Sequence, residues 1–251
     1  MKRFLVIITA LLMYVSAATA QSPSGPAQAK QTVDSKAANA AAAELAKQTF
    51  AAHGGDKFRS VKTLVFRGSV DLTSTAFNQA IPSAFSMAIA GEKYRIELAN
   101  PIQSFKQTFD GEQTYTSIPA GFSLPPINRL GLPLLQRVGD AGFTVTALPE
   151  DAKKKLGFRV TAPDGYFTDF FVDEKTKQIK SYEAMYEFSG RMFTTSVEVG
   201  KYREVAGVWV PEKYSQRFDL GQLTVYGEFK TKDILINTEL APDVFTSVKQ
   251  Q

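Results

Sequence analysis

The chain of 251 residues contains no cysteine, a single histidine and a single tryptophan. Without Cys there is no disulfide framework, no thiolate nucleophile and no thiol to carry a lipid anchor. An oxidising compartment is therefore tolerated without being exploited. One His leaves any transition-metal site to carboxylates, and no compact acidic run matches a calcium loop, so no cofactor or metal is expected. Charge of one sign is also scarce: 29 Lys and Arg stand against 25 Asp and Glu, a net charge of +4. That balance lacks the concentrated basic face nucleic acid calls for and excludes it as a partner. Nor is there an apolar run of the roughly 20 residues needed to cross a bilayer.

The longest apolar run, 4–15, follows Lys2 and Arg3 and precedes Ala18-Thr19-Ala20. This is the three-part layout of a secretory signal peptide, with cleavage before Gln21. Residues 1–20 are thus expected to be removed on export, taking two basic residues and lowering the net charge from +4 to +2. Residues 21–33, rich in Ser, Pro, Gly, Gln and Ala, read as a disordered leader. The remainder, 34–251, is long enough for one large core and reads as a single β domain. It opens with a helix capped by Asp34 or Ser35. That helix groups Leu45, Ala46, Thr49 and Phe50 on one face and ends at Gly54-Gly55.

What the sequence has in abundance is alternation. Leu64, Phe66, Val70 and Leu72 share one face of a strand, Phe85, Met87 and Ile89 repeat the pattern, and Tyr94, Ile96 and Leu98 stand against Lys93, Arg95 and Glu97. Phe105, Gln107 and Phe109 lead into a turn at Asp110-Gly111. From Gly157 to Ile236 the same period returns, broken by Ala162-Pro163-Asp164-Gly165, Asp173-Glu174-Lys175-Thr176 and Asp219-Leu220-Gly221-Gln222. Short loops between such runs predict an antiparallel meander. About ten strands with one dry face should curl around it into a barrel or half-barrel. The expected class is mainly β with a few helices.

Segment 119–139 breaks the pattern. It holds Pro119, Pro125, Pro126 and Pro133 together with Phe122, Leu124, Ile127, Leu130, Leu132, Leu134, Leu135 and Val138. Apolar but not periodic, it needs an apolar place to rest, either as a fixed plug of the concave face or as a movable lid over a cavity.

Catalytic chemistry is not displayed. His53 sits at a helix end beside two glycines, where the ring meets exposed carbonyls more readily than it serves as a general base. Asp173 and Glu174 read as turn residues rather than an acid and base pair, and Lys153-Lys154-Lys155 as a solvated loop. Nineteen Phe and nine Tyr are mostly core material. No nucleophile and base pair stands out, so a hydrolase is the least favoured class.

Several segments carry a likeness to a known family. The helix ending in Gly54-Gly55 is followed by Phe58, Val61 and a first strand over 64–72, and a hairpin turns at Asp110-Gly111. To these are added Phe170-Phe171-Val172-Asp173-Glu174-Lys175-Thr176, Gly207-Val208-Trp209-Val210-Pro211, and Ile236-Asn237-Thr238 leading to Phe245. Together, over roughly 36–248, they resemble the lipoprotein-carrier superfamily of the bacterial periplasm. That group includes outer-membrane lipoprotein-sorting proteins, their receptors and lipid-sensing regulators of envelope stress. The resemblance implies an unclosed half-barrel, a curved antiparallel sheet wrapped around helices and an apolar loop, with a cavity for acyl chains. A soluble, non-enzymatic periplasmic protein is then expected, with lipid or lipoprotein acyl chains as partners. The candidate lining is Phe66, Phe85, Met87, Tyr94, Phe105 and Phe109. Phe122, Leu130, Leu132, Leu134 and Leu135 form its cover. The alternative is a regulatory or scaffolding module of the same fold that binds an envelope or membrane protein.

Overall fold

The computed structural model describes residues 26–100, 104–117, 124–150, 152, 155–188, 191–219 and 223–246. A long helix α1 (Pro26–Ala52) and a short α2 (Asp56–Arg59) lead into five strands: β1 (Thr63–Ser74), β2 (Phe77–Ala90), β3 (Lys93–Ala99), β4 (Phe105–Phe109) and β5 (Thr114–Thr116). A single 3-10 turn (Ile127–Arg129) and helix α3 (Gly131–Gln136) follow. Seven strands complete the chain: β6 (Thr144–Thr146), β7 (Gly157–Thr161), β8 (Phe167–Val172), β9 (Ile179–Phe188), β10 (Arg191–Val205), β11 (Val208–Asp219) and β12 (Thr224–Ile236).

All twelve strands form one antiparallel sheet in the order β5-β4-β3-β2-β1-β12-β11-β10-β9-β8-β7-β6. Each meander runs outward from a central seam where the first strand meets the last, with Leu64 opposite Ile236 and Val70 opposite Phe229. The sheet does not close, because its two edges, β5 and β6, are not paired with each other. Two of the twelve strands exceed the expected ten, and β5 and β6 are three-residue edges too short to show a period in sequence. Seam geometry also demands Gly68, which sits at a register shift after Arg67. A Cβ there would lie 2.1 Å from the Lys230 carbonyl oxygen.

Helix α1 begins at Pro26, earlier than the cap expected at Asp34 or Ser35, and so takes in part of the segment read as a disordered leader. Proline is tolerated in the first turn, and the Ala, Gln and Lys that follow are good helix formers. Its buried stripe is Ala42, Ala46, Thr49 and His53 rather than the larger Leu45 and Phe50, which are only partly buried. Small residues let the helix lie close on the sheet, at the β6 and β7 side.

His53 locks the end of this helix into the sheet. Its Nδ1 lies 2.8 Å from the Trp209 carbonyl oxygen, while Nε2 accepts the Ile179 N–H at 3.2 Å. Nδ1 therefore carries the proton and the ring is neutral. The expected contact with helix-end carbonyls is replaced by a bridge between β9 and β11. Burial, partly offset by the bond to Trp209, lowers the His53 pKa from 6.5 to about 4. The unfolded chain takes up this proton near pH 6.5 and the folded chain only near 4. Stability is thus full above pH 6.5 and declines as pH falls from 6.5 towards 4, by about 3 kcal/mol in total. Urea unfolding across this range should show that slope in the native protein. In His53→Gln the slope should vanish, with a loss of about 2 kcal/mol at neutral pH from the disturbed Ile179 and Trp209 groups.

Candidate ligand cavity

Alternation decides which side chains face the concave side, and the strap between the two meanders decides which of them stay uncovered. Residues 124–140 cross that side and are fastened at both ends by glutamine amides. At the first end, buried Gln107 donates from Nε2 to the Leu124 carbonyl (3.0 Å) and to the Tyr94 hydroxyl (2.8 Å). Its Oε1 accepts the Leu124 N–H at 2.8 Å. At the second end, Gln136 Nε2 approaches the carbonyls of Phe58, Arg59 and Val61 at 2.8, 3.1 and 2.9 Å. Arg59 answers by donating to the Gln136 and Val138 carbonyls and to Asp140.

Between these fastenings the strap stands off the sheet and leaves a cavity of about 90 Å³. Pro125, Ile127, Leu130, Leu132 and Pro133 form its roof. Leu64 and Phe66 on β1, with Met87 and Ile89 on β2, form an apolar wall. The opposite wall comes from β9 to β11 and mixes Val197 and Pro211 with Tyr182, Thr195, Tyr214 and Gln216. A wider hollow of about 340 Å³ adjoins it beside α2, rimmed by Lys62, Glu92, Asn128, Gln136 and Arg137. Leu64, Ile89, Leu132 and Pro133 line both and form the partition between them. The polar rim is braced by the Arg137 ion pair with Glu92 (3.1 Å) and by Asn128 Nδ2 donating to the Glu92 carbonyl (2.8 Å).

Of the residues expected to line a cavity, the structure brings Phe66, Met87, Leu130 and Leu132 together around it. Phe85 lies in the main core, edge-on to Phe229 at 5.2 Å. Tyr94, Phe105 and Phe109 pack with Leu124 and Phe218 in a separate smaller cluster. Leu134 and Leu135 are buried in the main core at 1% and 0% exposure, so this end of the strap fills space. Phe122 lies outside the described residues. Missing from the expected lining were Leu64 and Ile89 of the apolar wall and the entire β9 to β11 wall, while Pro125, Ile127 and Pro133 of the roof belong to the segment expected to cover the face but were not singled out. Tyr182 stands at period two with Ala184 and Tyr186 in the sequence. No sequence signal set it opposite β1 and β2.

Burial raises the pKa of both Tyr182 and Tyr214 above the ordinary tyrosine value, and the nearness of Tyr182 adds to the effect on Tyr214. Tyr182 also accounts for a glycine. Gly131 has φ of +57°, and a Cβ on it would lie 2.8 Å from the Tyr182 hydroxyl.

No protein-family model and no curated protein matches the chain. Among solved structures, a LolA superfamily protein from Nitrosomonas europaea is similar with a TM-score of 0.50 at 12% identity, over 82% of this chain and 97% of that one. A domain ascribed to an outer membrane lipoprotein-sorting protein of Vibrio parahaemolyticus gives 0.47 at 10% identity, over 83% and 97%. The fold of this chain, an unclosed antiparallel sheet, is therefore like that of the LolA superfamily protein, as the turn signals suggested. Among the described residues no helix is long and apolar enough to cross a membrane.

The two glutamine fastenings differ in burial, and their removal should differ in cost. Gln107→Leu removes the bonds to the Leu124 N–H and carbonyl in a dry site and should lower the unfolding free energy by about 2 to 3 kcal/mol. Gln136→Leu, closer to water, should cost about 1 kcal/mol. Parallel urea titrations compare the two; equal costs would mean the Leu124 end is not the tighter one.

Proposed function

We propose that the protein is a carrier or binding protein for lipoproteins or other acyl-bearing lipids, working in the periplasm after residues 1–20 are removed. The observation that carries this reading is the cavity held open between the strap and the concave face, with its apolar wall and roof. Burying a methylene is worth about 0.8 kcal/mol, so a chain of about 16 carbons strongly resists crossing water unescorted. A hollow that removes it from water makes transfer feasible. Nothing in such an exchange needs bond chemistry, and the reading is non-enzymatic.

Size sets a condition on the mechanism. Sites for drug-sized ligands typically enclose roughly 300 to 1,000 Å³, and a chain of this length does not fit in about 90 Å³. The adjoining hollow supplies the room once Leu132 and Pro133 move aside and the partition is lost. The chain then lies across Leu64 and Ile89, running from one hollow into the other.

Filling the cavity from its two apolar sides tests this. Met87→Trp on the sheet and Ile127→Trp on the roof should each weaken binding of a fluorescent fatty-acyl probe at least about tenfold, one lost contact set of about 1.4 kcal/mol. Circular dichroism and thermal melts verify that both variants are folded. Unchanged affinity in both would overturn the cavity assignment. A wild-type protein that is empty in native mass spectrometry and refuses added acyl lipids would overturn the carrier reading in favour of a protein-binding module.

A further inference from the structure

The concave face is chemically divided. Over β1 and β2 the cavity meets only apolar side chains, whereas over β9 to β11 it meets Tyr182 and Tyr214 and the Thr195 and Gln216 pair. The last two are already engaged: Gln216 Nε2 donates to Thr195 Oγ1 at 3.0 Å, and Thr195 donates on to the Arg217 carbonyl at 2.9 Å. Two other tyrosines of the concave side also have partners. Tyr94 accepts from Gln107, and Tyr202 donates to the Ile179 carbonyl at 2.7 Å. Tyr182 and Tyr214 differ: both line the cavity, both are only partly buried, and among the described residues neither hydroxyl takes part in a hydrogen bond. A wall meant only for hydrocarbon would be served by Phe at both positions, without placing a polar group beside it.

We infer that Tyr182 and Tyr214 donate hydrogen bonds to the carbonyl oxygen of an ester or amide that joins the acyl chains to the rest of the ligand. The inference rests on the acyl-binding reading and specifies its ligand. A neutral carbonyl is the fitting acceptor because, among the described residues, no Lys, Arg or His lines this cavity; Lys62 and Arg137 belong to the outer hollow. A carboxylate or phosphate beside the tyrosines would be a buried charge without a counter-charge. A carbonyl brings an acceptor and no donor needing its own partner. The linkage thus sits against β9 and β11, and the chains lie towards β1, β2 and the roof. Specificity follows from the asymmetry of hydrogen bonding: a site built to bond a polar group rejects the analogue lacking it more strongly than a greasy wall rejects a methylene.

The test is displacement of a fluorescent acyl probe from the full chain by two lipids matched in length, dipalmitoylglycerol and its dihexadecyl diether, in the native protein and in Tyr182→Phe, Tyr214→Phe and the double variant. The native protein should prefer the diester roughly tenfold, about one hydrogen bond. The double variant should bind both lipids with the native protein's diether affinity, each single variant falling between. Melting temperatures verify that the variants are folded. Equal affinity of the native protein for the two lipids, or a preference surviving in the double variant, overturns the inference and leaves acyl binding standing. Failure of both lipids to bind overturns acyl binding itself. A dipalmitoylglyceryl-cysteine peptide as third ligand separates the sources. Tighter binding than dipalmitoylglycerol, lost in the Phe variants, assigns the site to a protein-attached lipid; equal binding assigns it to a glyceride.

Discussion

A twelve-stranded sheet with one dry face is stable in water only if that face is covered, and this constraint shapes everything else in the molecule. Closing the sheet on itself would remove the problem, but the edges β5 and β6 are three residues each and stay apart. Cover must then come from elements that are not strands. Helix α1 occupies the β6 and β7 side, α3 fills the middle with Leu134 and Leu135, and Leu124 seals the smaller cluster over β3 and β4. These pieces do not tile the whole surface, and the cavity is the space they leave.

The same constraint explains why the most deeply buried polar ring lies where it does. Helix α1 presents Ala42 and Ala46, and burying a methyl yields well under the roughly 1.5 to 3 kcal/mol of a Leu or Phe side chain. Such a stripe docks closely but weakly. Direction and depth are fixed instead at the C-terminal end, where His53 joins two strands and the Trp209 N–H bonds the His53 carbonyl at 3.1 Å. Gly54 makes that approach possible: a Cβ on it would lie 2.6 Å from the Gly207 carbonyl oxygen. Weak packing along the helix and strong hydrogen bonding at its end together give one orientation.

Strand identity, the meander and the half-barrel were legible in the sequence because each rests on period two and on turn residues a few positions apart. Leu64, Phe66, Val70, Phe85 and Ile89 face inward as the alternation says. What alternation does not carry is which part of the dry face remains bare. Phe85 and Met87 stand two residues apart on one strand, yet Phe85 is sealed against Phe229 while Met87 opens to the cavity. The difference is made by the strap docking from far along the chain. Tyr182 and Tyr214 were hidden for the same reason, being ordinary members of alternating strands until β1 and the roof are set opposite them. The early start of α1 was obscured by Ser, Pro and Gly nearby, which outweighed the helix-forming Ala, Gln and Lys.

How the strap could yield follows from where its strong bonds lie. At Leu124 and Gln136 several hydrogen bonds converge on backbone groups, at least one set in a dry site where an unmade bond costs about 1 to 3 kcal/mol. Between them the polar ties are fewer and wetter. Arg129 pairs with Asp164 at 2.9 Å with both side chains over a third exposed, a bond worth at most about 1 kcal/mol, and Asn128 holds the Glu92 carbonyl. Proline at 125, 126 and 133 leaves this stretch with few backbone donors to lose, and Gly131 supplies a left-handed corner at its centre. The least costly deformation is accordingly an outward bow of the span from Pro125 to Pro133 with both ends fixed. That motion moves Leu132 and Pro133, the residues shared by the two hollows, and leaves Leu134, Leu135 and the sheet in place. Under the proposed carrier reading, plug and lid are two parts of one segment, divided where the hydrogen bonds change from dry to wet.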